Sequence, residues 1–107
     1  MNNEKISPLT EGVYYILISL YKPLHGYGIM QNVKSLTNGR VNIGAGTLYG
    51  ALNTLLQKGF IIECKADLSR KEYIITDEGK QAVLNETLRL KELYDNGRKV
   101  LDENYEQ

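Results

Sequence analysis

Gly44-Ala45-Gly46-Thr47-Leu48-Tyr49-Gly50-Ala51-Leu52-Asn53-Thr54-Leu55-Leu56-Gln57-Lys58-Gly59 carries more structural information than any other part of this chain. Leu48, Leu52, Leu55 and Leu56 fall at i, i+4, i+7 and i+8, which places them on one stripe of a helix from about Gly46 to Lys58. Thr47, Tyr49, Gly50, Asn53, Thr54 and Gln57 are left to face outward, and no charged residue intervenes before Lys58. Surface helices of soluble proteins ordinarily carry charges there. A slender, uncharged, hydrogen-bonding face suits a groove lined with base edges, where amide and hydroxyl groups do the reading.

Two helices precede this one. Ser7-Pro8 supplies a capping hydroxyl and a proline at the first helical position, and Leu9, Val13, Ile16, Leu17 and Leu20 follow as an apolar stripe until Lys22-Pro23. A second helix spans about Gly26 to Thr37, with Tyr27, Met30, Val33 and Leu36 as its expected buried face. Asn38-Gly39 closes it with residues that accept the left-handed conformation. Arg40-Val41-Asn42-Ile43 alternates and is β-branched, the pattern of a short strand.

Beyond Gly59, Phe60–Lys65 and Arg70–Ile75 are strand-like runs around the polar connection Ala66-Asp67-Leu68-Ser69, a hairpin pattern. Thr76 then caps a last helix, with Asp77 and Glu78 favourably placed at its positive end. The order helix, helix, short strand, helix, hairpin, long helix predicts a mainly α protein with a small β-hairpin. That is a winged helix-turn-helix over residues 1–76 with a C-terminal dimerisation helix over 77–107, together one compact unit.

With 107 residues and no net formal charge, the bulk numbers permit one domain and conceal an asymmetry. Residues 22–71 carry a net +5, whereas the chain from Glu72 onward carries −4. A polyanion responds to the local sign. The longest apolar run, Val13–Tyr21, is about half the ~20 residues that a membrane span requires. No signal-like pattern opens the sequence and Cys64 is alone, so a reducing cytoplasm is the expected setting. One histidine and one cysteine, with carboxylates concentrated in the tail, offer no catalytic constellation, no metal site and no cofactor site. His25 is expected to cap the second helix, and Cys64 to be a small buried apolar residue.

The last helix would be ~45 Å long, more than the body of such a domain can cover. Val83, Leu90 and Gly97 repeat every seven residues, as do Thr87, Tyr94 and Leu101, while Leu84 and Leu88 lie off that seam. Leaving such leucines wet costs about 1.5–3 kcal/mol each. A symmetric homodimer is the simplest cover, with Leu9, Val13, Val83, Leu90, Leu93, Tyr94 and Leu101 at its interface. Two recognition helices would then meet successive major grooves about 34 Å apart on a pseudo-palindromic double-stranded DNA operator. The expected DNA contacts are Arg40, Thr47, Tyr49, Gly50, Asn53, Lys58, Arg70 and Lys71. For Tyr49 the competing role is a ring lying over the small residues near Gly26. A competing function is a winged-helix protein–protein interaction module that never touches DNA.

Three segments in this order resemble the PadR family of transcriptional regulators. They are His25-Gly26-Tyr27-Gly28-Ile29, Gly46-Thr47-Leu48-Tyr49-Gly50-Ala51-Leu52 with Gly59 and Ile61, and Arg70-Lys71-Glu72-Tyr73 leading into Thr76-Asp77-Glu78-Gly79. The single C-terminal helix is similar to the compact branch of that family. The resemblance implies a homodimeric repressor, with Thr47 and Tyr49 at the start of the recognition helix and Arg70 and Lys71 in the wing. It also implies release of DNA when a small aromatic effector binds, for which Tyr14, Tyr15 and Tyr94 are the candidate lining residues. Where the family often has a basic residue after the tyrosine motif, this chain has Asn53-Thr54.

Overall fold

The computed structural model describes residues 8–64 and 70–105. Seven elements follow one another: α1 (Glu11–Ser19), β1 (Leu24–His25), α2 (Gly26–Leu36), α3 (Ala45–Lys58), β2 (Ile61–Cys64), β3 (Glu72–Ile75) and α4 (Asp77–Tyr105). The architecture is the expected one, mostly helical with a small antiparallel sheet, and several details differ.

Helix α1 starts later than its sequence suggests. Thr10, not the Ser7-Pro8 pair, is the cap, and its hydroxyl accepts the Val13 N–H at 3.2 Å. Ser7 itself lies outside the described residues. Helix α2 buries Gly26, Ile29 and Val33, whereas Tyr27 and Leu36 are exposed and Met30 is half-buried. The expected face was therefore rotated by about one residue. Ile29 and Met30 are both apolar, and only the crossing against α1 and α3 decides between them. Asn38 and Gly39 do take positive φ, 53° and 81°, and the Gly39 N–H bonds back to the Lys34 carbonyl at 2.8 Å.

Residues 40–43 form no strand. The Thr37 hydroxyl accepts the Val41 N–H at 3.0 Å and turns the chain into α3, while Val41 and Ile43 pack against the core. The third strand is instead β1, whose Leu24 and His25 pair antiparallel with Tyr73 and Glu72 of β3. The sheet order is β1-β3-β2, and β2 runs antiparallel to β3 from Ile61↔Ile75 to Cys64↔Glu72. The strands are shorter than the runs that announced them, and the connection expected at 66–69 lies outside the described residues. Cys64 is half-buried, not buried.

The core is the leucine face of α3 (Leu48, Leu52, Leu55) set against Ile16, Leu17 and Leu20 of α1 and its C-cap, and Ile29 and Val33 of α2. Ile61, Tyr73 and Ile75 close it from the sheet. Val83, placed by heptad counting at a dimer interface, belongs to this core and is 8% exposed. Ser19 is buried between helices, where its hydroxyl donates to the Tyr15 carbonyl at 2.8 Å and accepts from Asn32 Nδ2 at 2.9 Å.

Helix α4 is rooted by its first turn. Thr76 Oγ1 accepts the Gly79 N–H at 3.1 Å and donates to the Gly59 carbonyl at 2.7 Å. Gly79 lies against the Phe60 backbone so closely that a Cβ there would sit 2.2 Å from the Phe60 carbonyl oxygen and 2.7 Å from Ile75 Cγ1. Two turns further along, Glu86 is buried at 5% exposure. Its carboxylate accepts two bonds from Arg89, at 3.0 and 2.6 Å, and one from the Leu9 N–H at 3.3 Å. The Arg89 bonds hold its pKa below the ordinary carboxylate value, against the opposing effect of burial. From Lys91 to Tyr105 every side chain is exposed. Lys91–Asp95 and Arg98–Asp102 ion pairs at i, i+4 support that arm.

Two outcomes follow from the root of α4. Gly79→Ala should lose about 2–3 kcal/mol in urea unfolding, because its Cβ meets backbone that cannot yield. Glu86 is charged in the folded chain at pH values where the unfolded chain begins to take up its proton, so acidification removes stability through this group. Glu86→Gln should accordingly flatten the acid side of a stability–pH profile relative to native protein.

Candidate nucleic-acid interface

The outward side of α3 is open. Gly44 forms its N-cap without a side-chain bond, and a Cβ built at Gly44, Gly46 or Gly50 would meet nothing within 4 Å. Thr47, Tyr49, Gly50, Asn53 and Thr54 are all exposed. Thr54 spends its hydroxyl on the Gly50 carbonyl at 3.2 Å, whereas the exposed Asn53 amide carries donors and an acceptor of the kind that match an adenine edge. Gly59 ends the helix with φ 78°.

Tyr49 occupies an intermediate role. Its ring reaches across to α2 so that the hydroxyl covers Gly26, where a Cβ would lie 2.2 Å away, yet the side chain remains 47% exposed. Gly26 is thus required at the α2–α3 contact for lack of room. Beside Tyr49 a cleft of about 300 Å³ opens between α2 and the base of the wing, lined by His25, Tyr27, Arg70, Lys71 and Tyr73 as well. Burial and the Glu63 charge raise the Tyr73 phenol, so it stays a neutral hydrogen-bond donor.

The expected cations divide into two groups. Arg70 and Lys71 flank this cleft, Arg70 Nη1 at 2.7 Å from His25 Nε2 and Lys71 Nζ at 3.4 Å from Glu63 Oε2. Arg40 instead pairs with Glu11 at the start of α1 and holds that carboxyl below its ordinary value. Lys58 stands at the far end of α3, its ammonium 6.0 Å from the Phe60 ring centre. Neither Arg40 nor Lys58 lines the Tyr49 cleft. Sequence reading missed His25 and Tyr73 as members of this site. His25 does cap α2, its Nδ1 accepting the Gly28 N–H at 3.1 Å, but its approach to Arg70 follows from the β1–β3 pairing.

The remaining candidates lie elsewhere. Tyr14 and Tyr15 meet edge to face, with ring centres 6.1 Å apart, and line a cleft of about 390 Å³ with Leu9, Glu86, Arg89 and Leu90. Tyr94 is 66% exposed on the free arm of α4 and does not line it. Leu9 and Val13 are half-buried on the α1 side, whereas Leu90, Leu93 and Leu101 are exposed along α4. Among the described residues there is no grouping of side chains that could hold a metal ion, and no helix is long and apolar enough to cross a membrane.

No curated protein sequence matches the chain. Among solved structures it is similar to a PadR family transcriptional regulator from Eggerthella lenta, with 30% identity and a TM-score of 0.71 over 86% of this chain and 82% of that one. A PadR-like transcription factor from Bacteroides fragilis is 25% identical, with a TM-score of 0.68 over 82% of this chain and 87% of that one. The smu.1704 protein of Streptococcus mutans shares the fold at 23% identity, with a TM-score of 0.72 over 94% and 96%. Members of the PadR family are transcriptional regulators and not enzymes. The PadR-like transcriptional regulator family matches residues 14–85, most of the helix-turn-helix, the wing and the root of α4, and this chain belongs to it.

Proposed function

We propose that this regulator is a sequence-specific DNA-binding repressor that acts as a homodimer. One observation carries the reading: α3 turns an uncharged, glycine-bared side outward, and Arg70 and Lys71 stand beside it at the base of the wing. The neutral face suits base edges in the major groove, and the flanking cations suit phosphates. Thr47, Tyr49, Gly50 and Asn53 are the groove-facing residues of this proposal, with Lys58 at the helix end. Arg40 contributes only if duplex DNA draws it away from Glu11.

Pairing through α4 is supported by the exposed apolar residues Leu84, Leu88, Leu93, Val100 and Leu101 on a helix that has no cover of its own past Leu90. Two copies joined along this arm would present two α3 helices to successive grooves of a pseudo-palindrome. The cleft beside Tyr14 and Tyr15 has the size and apolar lining of a small-ligand site. Its position between α1 and α4 supports an aromatic effector that shifts the spacing of the paired reading helices. A cytoplasmic location accords with a protein whose target is the genome.

Sedimentation of the native protein should give a dimer, and Leu93→Glu with Leu101→Glu should give a folded monomer. A native monomer at micromolar concentration would overturn the pairing. Duplex binding should weaken by about 0.9 log units per log unit of salt for each phosphate engaged. Tyr49→Ala should reduce operator affinity about tenfold or more while leaving the dimer intact. A salt-independent complex would count against the DNA reading.

A further inference from the structure

The contact between His25 and Arg70 brings together two groups that both need an acceptor when His25 caps α2. A neutral imidazole offers one donor and one acceptor nitrogen, and a guanidinium only donates. His25 Nδ1 accepts the Gly28 N–H at 3.1 Å, which leaves the ring proton on Nε2. Yet Nε2 faces Arg70 Nη1 at 2.7 Å, so two donors stand opposite each other. Moving the proton to Nδ1 would satisfy Arg70 but turn a second donor toward Gly28 and undo the cap of α2. An acceptor oxygen set against both Nε2 and the guanidinium serves the two donors at once.

The surroundings specify the charge of that acceptor. Among the described residues the cleft has His25, Tyr49, Arg70, Lys71 and Tyr73 on its walls and no carboxylate. The nearby acids among the described residues are Glu63, which is occupied by Lys71, and Glu72, which lies opposite His25 in the β1–β3 register. The cleft adjoins the amino-terminal half of α3 through Tyr49. We infer that it seats one phosphodiester group of duplex DNA, its oxygen accepting from His25 Nε2 and Arg70 together. The inference rests on the DNA-binding reading above and adds a function for His25, which locks α2 and the wing onto the same backbone phosphate.

A phosphodiester is common to every duplex, so a duplex of arbitrary sequence at low salt tests the idea. His25 is the only histidine, and its ¹⁵N imidazole resonances report the tautomer without assignment of the rest. Adding duplex should shift these resonances and leave Nε2 protonated with Nδ1 as acceptor. Arg70→Gln should lower the salt dependence by about 0.9. His25→Asn, which can still cap α2, should bind duplex about tenfold more weakly with an unchanged melting temperature. The inference is overturned if duplex binds the native protein while the imidazole signals stay still, or if His25→Asn binds as tightly as native. Signals moved by millimolar inorganic phosphate but not by duplex would make the cleft a free-anion site and overturn the backbone assignment. Absence of any duplex binding would overturn both this inference and the DNA reading, whereas the other adverse outcomes leave that reading standing.

Discussion

The first turn of α4 against the Phe60 backbone is the constraint on which the rest of the molecule depends. Four segments converge there: the end of α3 at Gly59, the start of the hairpin at Phe60, the end of β3 at Thr76, and Gly79. The Thr76 N–H bonds to the Phe60 carbonyl at 2.9 Å, and the Thr76 hydroxyl bonds to the Gly59 carbonyl. The direction of α4 is thereby tied through backbone to the C-terminal end of α3. A side chain at position 79 would force these segments apart, and the direction of α4 would no longer be tied to that of α3.

The second fastening is polar. Glu86 draws Arg89 and the Leu9 N–H together, and Tyr14 Oη meets Thr87 Oγ1 at 2.7 Å, so α1 meets α4 through hydrogen bonds as well as apolar contact. A buried carboxylate with three donors is weak evidence for added stability, but removing a partner strands a charge. Leu9, Tyr14, Glu86 and Arg89 also line the Tyr14–Tyr15 cleft. A molecule entering there would press on the contact that sets the angle of α4.

The parts legible in the sequence were those with long, regular patterns. The leucine stripe of α3 and the capped start of α4 formed where expected, and the two hairpin strands formed within the runs that announced them, though shorter. The parts that were not legible depend on partners far away in the chain. Strand β1 has two residues and exists only because β3 lies beside it. The faces of α2 differ by one apolar residue, and packing made the choice. Heptad counting placed Val83 at an interface because periodicity marks an apolar side without saying which neighbour covers it. The same limit applies to the candidate site: Tyr49, Arg70 and Lys71 come together as single residues suggest, while His25 and Tyr73 join them through the sheet. Arg40 is drawn away by Glu11, a pairing across 29 positions that no local rule anticipates.

From Lys91 onward α4 stands clear of the body that carries α3, and no side chain there is needed to keep the fold closed. Mutational drift on this arm and drift on α3 are thus separable. If copies pair along this arm as proposed, sister copies could stop cross-pairing after gene duplication by a few changes near the tip while both still address the same promoter. The reverse route, a new promoter with the old mate, is equally open.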